Sequence, residues 1–282
     1  MYKNICLVLA AFMNRDYVFK DGKIPYYQSR LFNEYGVEHA FFTRLGGVSA
    51  GVFESLNFAK GAGDVRDSDE NILKNHELAA GVFGLSGGDI CRSYQTHTSN
   101  VLLATDEDRG RGITKPQYSE GVDGMVTAER NLLLSVRSAD CVPVLLCDKS
   151  KSICGAVHAG WRGTLGGITK NAIELMVKNG ARREDIICAV GPCIAKCCYE
   201  VGSEVYAEFT AKNPEYSRFF TPCGEKYMLD LNLANEFILI EAGICEENIS
   251  LLNICTKCNP EHFFSHRRNG KNRGTMSALI HI

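Results

Sequence analysis

The chain has 282 residues, of which 45% are hydrophobic and 23% charged, a composition that supports a sizeable core and excludes bulk disorder. Lys and Arg number 31 against 33 Asp and Glu, a formal net charge of −2, so a general electrostatic grip on nucleic acid or an anionic membrane is excluded. The 13 cysteines are an odd number, and several sit inside apolar runs (Cys147, Cys154, Cys188), which predicts a reducing cytoplasm and mostly buried free thiols.

Ile5–Met13 is a short apolar run behind Lys3. It lacks a second positive charge and a small-x-small cleavage site, so it reads as a buried N-terminal strand or helix rather than a targeting segment. Residues 67–85 predict a helix, with Asp67 and Glu70 as a capping box and Ile72, Leu73, Ala79, Ala80 and Phe83 on its apolar side. Val101–Ala104, Gly124–Thr127 and Leu132–Val136 read as strands. Val142–Cys147 and Ile153–His158 read as a hairpin about the polar turn Asp148–Ser152. A helix follows over Thr164–Asn179, stopped by Gly180, then a strand at Ile186–Val190. Asp230–Ala242 reads as an amphipathic helix closed by Gly243, and Leu251–Cys255 as a late strand. With no repeat and no linker, the pattern predicts one α/β domain over 1–282, built of stacked mixed β-sheets flanked by helices. No dinucleotide or Walker loop follows a strand.

Chemistry-bearing residues gather at predicted strand ends. His97 precedes a strand, and His158 lies where a strand enters Gly160-Trp161-Arg162-Gly163. Asp140-Cys141 interrupts an apolar stretch, where an unpaired carboxylate would be costly. The hairpin brings Cys141 and His158 to one open end. Two histidines and a cysteine make a three-ligand set that leaves one position open, as in catalytic zinc sites. Spacing alone equally allows a core thiol and two ordinary hydrogen-bonded histidines.

Several motifs carry a resemblance: Thr43-Arg44-Leu45-Gly46-Gly47-Val48-Ser49, Gln95-Thr96-His97, Asp123-Gly124-Met125-Val126-Thr127, Ser138-Ala139-Asp140-Cys141-Val142-Pro143, and Val157 to Gly163. Gly191-Pro192-Cys193-Ile194, Cys197-Cys198-Tyr199-Glu200-Val201-Gly202, and Phe264 to Arg268 with Arg273 continue it. In this order they resemble the YfiH-like laccase-domain family. The resemblance implies an α/β fold with stacked sheets and a zinc site at His97, Cys141 and His158. It implies purine nucleoside phosphorylase activity on adenosine, inosine and S-methyl-5'-thioadenosine, with adenosine deamination. Purine nucleosides and phosphate are then the partners, with neither nucleic acid nor membrane. The family has also been labelled polyphenol oxidase, and some members peptidoglycan-editing factors. His266 stands where the family often has Tyr, and reads as a neutral exchange.

Phosphorolysis needs a phosphate seat, for which arginine forks are suited. Arg44, in its Gly-Gly turn, is the first choice, with Gln95, Arg162, Arg267, Arg268 and Arg273 as further substrate or phosphate contacts. Asp140 is expected either to shuttle protons during deamination or to orient His97 or His158. Three rivals remain. Seven histidines without a His-x-His pair argue against a multicopper oxidase, though one Cu2+ at the same site is allowed. A cysteine hydrolase would use Cys141 as nucleophile and His158 as base. A structural zinc at Cys255, Cys258, His262 and His266 is formally possible, but Phe263-Phe264 reads better as a buried strand. Cys193, Cys197 and Cys198 could likewise bind metal or react, but read more simply as buried packing after the Gly-Pro turn.

Overall fold

The computed structural model describes residues 16–282, and the segment expected at 5–13 lies outside them. The described residues form two six-stranded sheets stacked face to face. The first runs β1 (Tyr17–Lys20), β2 (Tyr26–Ser29), β3 (Glu38–Phe42), β15 (Met276–His281), β7 (Leu133–Ser138), β4 (Ile90–Arg92). The second runs β14 (Ile249–Leu251), β10 (Ile186–Val190), β8 (Val142–Asp148), β9 (Cys154–Ala159), β6 (Gly124–Thr127), β5 (Val101–Leu103). A small third sheet orders β11 (Glu200–Val201), β13 (Lys226–Leu229) and β12 (Phe220–Cys223). The single α/β domain with stacked sheets and outer helices is as expected.

The period-2 alternation of each strand explains the layering. Leu134 and Val136 of β7 pack between the sheets against Leu145 and Cys147 of β8 and Cys154 and Ala156 of β9. The alternate residues Val142, Val144, Leu146 and Val157 face outward into a second core. There they meet α4 (Ile168–Lys178), α5 (Ser203–Lys212) and α6 (Leu231–Glu241), with Phe209 and Ile173 filling the space. On the far side, α2 (Asp69–Gly81) covers Ala40, Phe42, Leu133 and Leu279. Two short helices, α1 (Arg30–Glu34) and α7 (His266–Asn269), close loops, and α3 (Trp161–Leu165) precedes α4.

The predicted hairpin is present. Val142 pairs with Ala159 and Cys147 with Cys154. Its turn is closed by Asp148, whose Oδ1 accepts the N–H groups of Ser152 and Ile153 at 2.8 and 3.0 Å, an Asx-type closure. Three local expectations are corrected. The helix expected over 164–179 is two helices, because Gly166-Gly167 breaks it with Gly167 at φ 76°. The cap of α2 is Ser68, which accepts from Asn71 N–H, while Asp67 ties Asn57 and Asn71 instead of forming a box with Glu70. Phe263 and Phe264 are buried, but in a loop rather than a strand.

One core residue sets an acid limit. His39 in β3 is fully buried. Its Nδ1–H donates to Val37 O at 2.9 Å, and its Nε2 accepts Ser29 N–H at 2.8 Å. Burial outweighs the Val37 carbonyl and pulls its pKa down to about 4. Unfolding restores an ordinary imidazole near 6.5, so between these values the unfolded chain binds the extra proton. Stability is therefore full above pH 6.5 and falls as pH drops toward 4, by about 2 kcal/mol at pH 5 from this residue. Buried His76, pulled down by burial and by the charge of Arg92, acts in the same direction. Urea midpoints at pH 7.5 and 5 should show the drop, and His39→Gln should flatten it. A midpoint indifferent to pH would refute the assignment.

Candidate metal centre

His97, Cys141 and His158 converge. One donor atom from each lies within 4.8 Å of the others, and Cys141 Sγ stands 3.9 Å from His97 Nε2. His158 comes from the end of β9 and Cys141 from the chain entering β8, so the hairpin register brings them together. His97 arrives from the loop before β5, in a left-handed conformation at φ 64°. Such backbone is uncommon outside glycine and persists where the surroundings enforce it.

The enforcing group is Asp123, fully buried just before β6. Its carboxylate accepts N–H bonds from Thr96 (3.0 Å), His97 (3.0 Å) and Thr98 (2.8 Å), and the Thr98 hydroxyl at 2.9 Å. Its Oδ1 also takes the Nδ1–H of His158 at 2.8 Å, while its carbonyl accepts His158 N–H at 2.8 Å. Burial pushes the Asp123 carboxyl up, but the bonds from His158 and Thr98 prevail and hold it down to about 2. One carboxylate thus fixes the His97 loop and the orientation of His158, and leaves His158 Nε2 facing Cys141. Burial raises the Cys141 thiol, yet the charge and hydrogen bond of His158, with those of His97, bring it below its ordinary value. His158 is pushed up in turn: burial opposes this, but Cys141 and Asp123 outweigh it. Gly160 supplies the floor, for a Cβ there would meet His97 Cδ2 at 3.1 Å and Cys141 Sγ at 3.2 Å.

These features fit a metal ion. Two imidazoles and a depressed thiol face one point, one imidazole is oriented by a carboxylate, and the floor has no side chain.

The other expected residues divide. Asp140 touches neither histidine. Its Oδ1 accepts Thr256 Oγ1–H at 2.6 Å, and its Oδ2 accepts Ser265 Oγ–H at 3.0 Å and Arg267 N–H at 2.6 Å. It ties down the 256–267 loop, and the orienting task falls to Asp123. Gln95 spends its amide on Arg137, donating to its carbonyl at 2.6 Å and accepting its N–H at 2.8 Å. Arg44 donates to Glu54 O (2.7 Å) and Pro260 O (3.1 Å) and stacks on Phe264. Arg268 donates to Thr256 O and Lys257 O. These two guanidiniums join loops. Arg162 is exposed and lies over Trp161 at 4.2 Å. Arg267 lies over Tyr199 at 5.1 Å and donates to Glu200 O at 2.8 Å. Arg273 keeps a buried Nε without an acceptor among the described residues, and its charge is felt by Asp140 and Cys141.

Sequence reasoning missed two groups. Asp123 was visible only as the first residue of a motif. Arg92 and Arg137 also carry buried Nε atoms without acceptors among the described residues and line a cavity of about 560 Å³. Burial, with Arg92 and Arg273 alongside, pulls Arg137 down to about 9.

Stacked sheets with a His/Cys group that could hold one metal ion define a class of α/β proteins. Comparison narrows the class. The chain belongs to the family described as multi-copper polyphenol oxidoreductase laccase, whose model matches residues 38–282. It is 35% identical over 243 residues to the purine nucleoside phosphorylase YlmD of Bacillus subtilis, covering 85% of this chain and 86% of that one. It is 34% identical over 245 residues to the adenosine deaminase RL5 of an unknown prokaryotic organism, covering 85% and 91%. The crystal structure of the Bacillus licheniformis hypothetical protein YfiH superposes with a TM-score of 0.84 at 31% identity, covering 94% of this chain and 98% of that one. No helix among the described residues is long and apolar enough to cross a membrane.

Proposed function

We propose that the chain is a zinc-dependent purine nucleoside phosphorylase acting on adenosine, inosine and S-methyl-5'-thioadenosine, with adenosine deaminase activity. The convergence of His97, Cys141 and His158 carries the reading, and the names of the YlmD and RL5 relatives support its substrate class. Zinc held by these three residues would supply Lewis acidity beside an open position. The chain's own groups do the rest. Asp123 keeps His158 in one orientation. Trp161 and Tyr199, each under a guanidinium, offer aromatic faces to a purine. Arg162 supplies donors for phosphate, as do the nitrogens of Arg267 and Arg273 left over from their one bonded nitrogen each, whereas Arg44 and Arg268 bond neighbouring groups through two or more nitrogens. Asp140 is equally occupied, which leaves it a positioning role.

Cys141→Ala tests the reading. Metal content at the centre should fall to background, and phosphate-dependent release of hypoxanthine from inosine should drop at least about 100-fold. Full zinc and full phosphorolysis in this variant would end the proposal. A second reading draws on one observation: Cys141, His158 and Asp123 are arranged as thiol, imidazole and orienting carboxylate. A cysteine hydrolase of that kind would keep its activity after chelation, and the phosphorylase would lose it.

A further inference from the structure

A second cysteine cluster lies apart from this centre. β10 and β14 are parallel neighbours, with Val190 opposite Leu251. The chains leaving their ends therefore run side by side, and the backbones of Cys193 and Cys255 pair in parallel. This brings Cys197-Cys198 against Cys255-x2-Cys258 across about 60 residues of sequence, as the parallel crossover requires. All four Sγ atoms lie within 4.8 Å of one another. Cys198 and Cys258 stand 3.3 Å apart, and Cys197 stands 3.7 Å from both Cys198 and Cys258.

We propose that Cys197, Cys198, Cys255 and Cys258 bind one zinc ion as a closed tetrathiolate. Four sulfurs at 2.3 Å from a tetrahedral zinc stand about 3.8 Å apart, which matches these separations. The distances are too long for disulfides. An iron–sulfur cubane would spread its thiolates over four separate irons, farther apart than these. Soft thiolates in a tetrahedron select zinc among the common ions. Cys255 is buried and its sulfur accepts the N–H of Ala195, from the segment that carries Cys197 and Cys198, at 3.5 Å. His262 and His266, the formal partners by spacing, take no part. His262 Nδ1 bonds the Tyr27 hydroxyl at 2.7 Å and its ring stacks on Phe19.

The four ligands leave no open position, so the ion is structural. Its place gives it a task. Thr256, inside the C-x2-C turn, donates to Asp140 next to the Cys141 ligand, and Arg268 clamps the carbonyls of Thr256 and Lys257. The ion therefore pins the loop that frames the first centre.

The test separates the two centres. His97→Ala/Cys141→Ser disables the first and should still retain about one zinc per chain after dialysis, with an all-sulfur shell in zinc X-ray absorption. Adding Cys255→Ser and Cys258→Ser should lower that content at least about tenfold. If the quadruple variant does not fold, Cys258→His in the double-variant background should keep the zinc and change one sulfur to nitrogen in the spectrum. No zinc in the double variant, a shell without four sulfurs, or a spectrum unchanged by Cys258→His would overturn the site. None of these results depends on the phosphorylase reading, which is judged by purine release and by metal at the first centre.

Discussion

Asp123→Asn should leave a protein that folds, melts early and holds metal poorly. The carboxylate accepts from three backbone N–H groups, a hydroxyl and an imidazole. An amide can accept on only one of its two heavy atoms. Its NH2 group must then face the N–H of Thr96 and Thr98, or that of His158. Either way, a buried donor loses its acceptor, and the left-handed turn at His97 loses the negative charge that enforces it. Breaking a buried, hydrogen-bonded pair by removing one partner costs about 3–5 kcal/mol. Loss of a carboxylate that orients a metal-binding imidazole lowers metal affinity about 10–100-fold. Urea unfolding reads the first effect and competition with a chelator the second. Wild-type affinity in Asp123→Asn would show that His158 is oriented by something else.

The two histidines and the cysteine were legible in the sequence for a definite reason. Cys141 and His158 stand at the ends of strands whose apolar patterning is plain, Asp148–Ser152 fixes the register that places them side by side, and His97 lies in the polar loop ahead of β5. The orienting carboxylate was not legible. Its partners are mostly backbone N–H groups from 25 to 27 residues away, and backbone donors leave no mark on a sequence. Asp140 drew attention because it adjoins a ligand, but adjacency along a strand entry turns its side chain away from the neighbour's. The 256–267 loop that receives it could be found only in three dimensions.

The same limit applied to the cysteines. C-x2-C at Cys255 suggested local partners, His262 and His266, because spacing arguments work over short distances. The actual partners arrive through the parallel pairing of β10 and β14, and parallel neighbours can be far apart in sequence. In the fold, strands with continuous apolar runs such as β8 and β10 were recovered almost to the residue. β3 and β15 escaped because His39, Ser277 and His281 interrupt their apolar character. All three are buried: His39 is satisfied by backbone groups, and Ser277 pairs with Ser135 at 2.9 Å. Polar residues with partners inside the core defeat a reading that equates polarity with exposure.

Gly160→Ala should separate the centre's geometry from the stability of the fold. Gly160 has φ −68° and ψ 169°, a conformation open to any residue, so alanine adds no backbone strain. The new methyl instead lands 3.1 Å from His97 Cδ2 and 3.2 Å from Cys141 Sγ, inside the ~3.5–4.0 Å of a comfortable carbon contact. Both ligands must retreat, and His97 cannot do so freely while Asp123 holds its N–H. We expect global stability to move by less than about 1 kcal/mol, while kcat/KM for phosphorolysis falls about 100-fold, the scale of an ångström's misplacement at a reacting centre. Gly81→Ala is the control: it lies in α2 with nothing within 4 Å of a Cβ, and should stabilise by up to about 1 kcal/mol through helix propensity. Calorimetry beside steady-state purine release distinguishes the two effects. A Gly160→Ala enzyme with normal turnover and normal metal content would mean that the reacting groups do not meet over this floor.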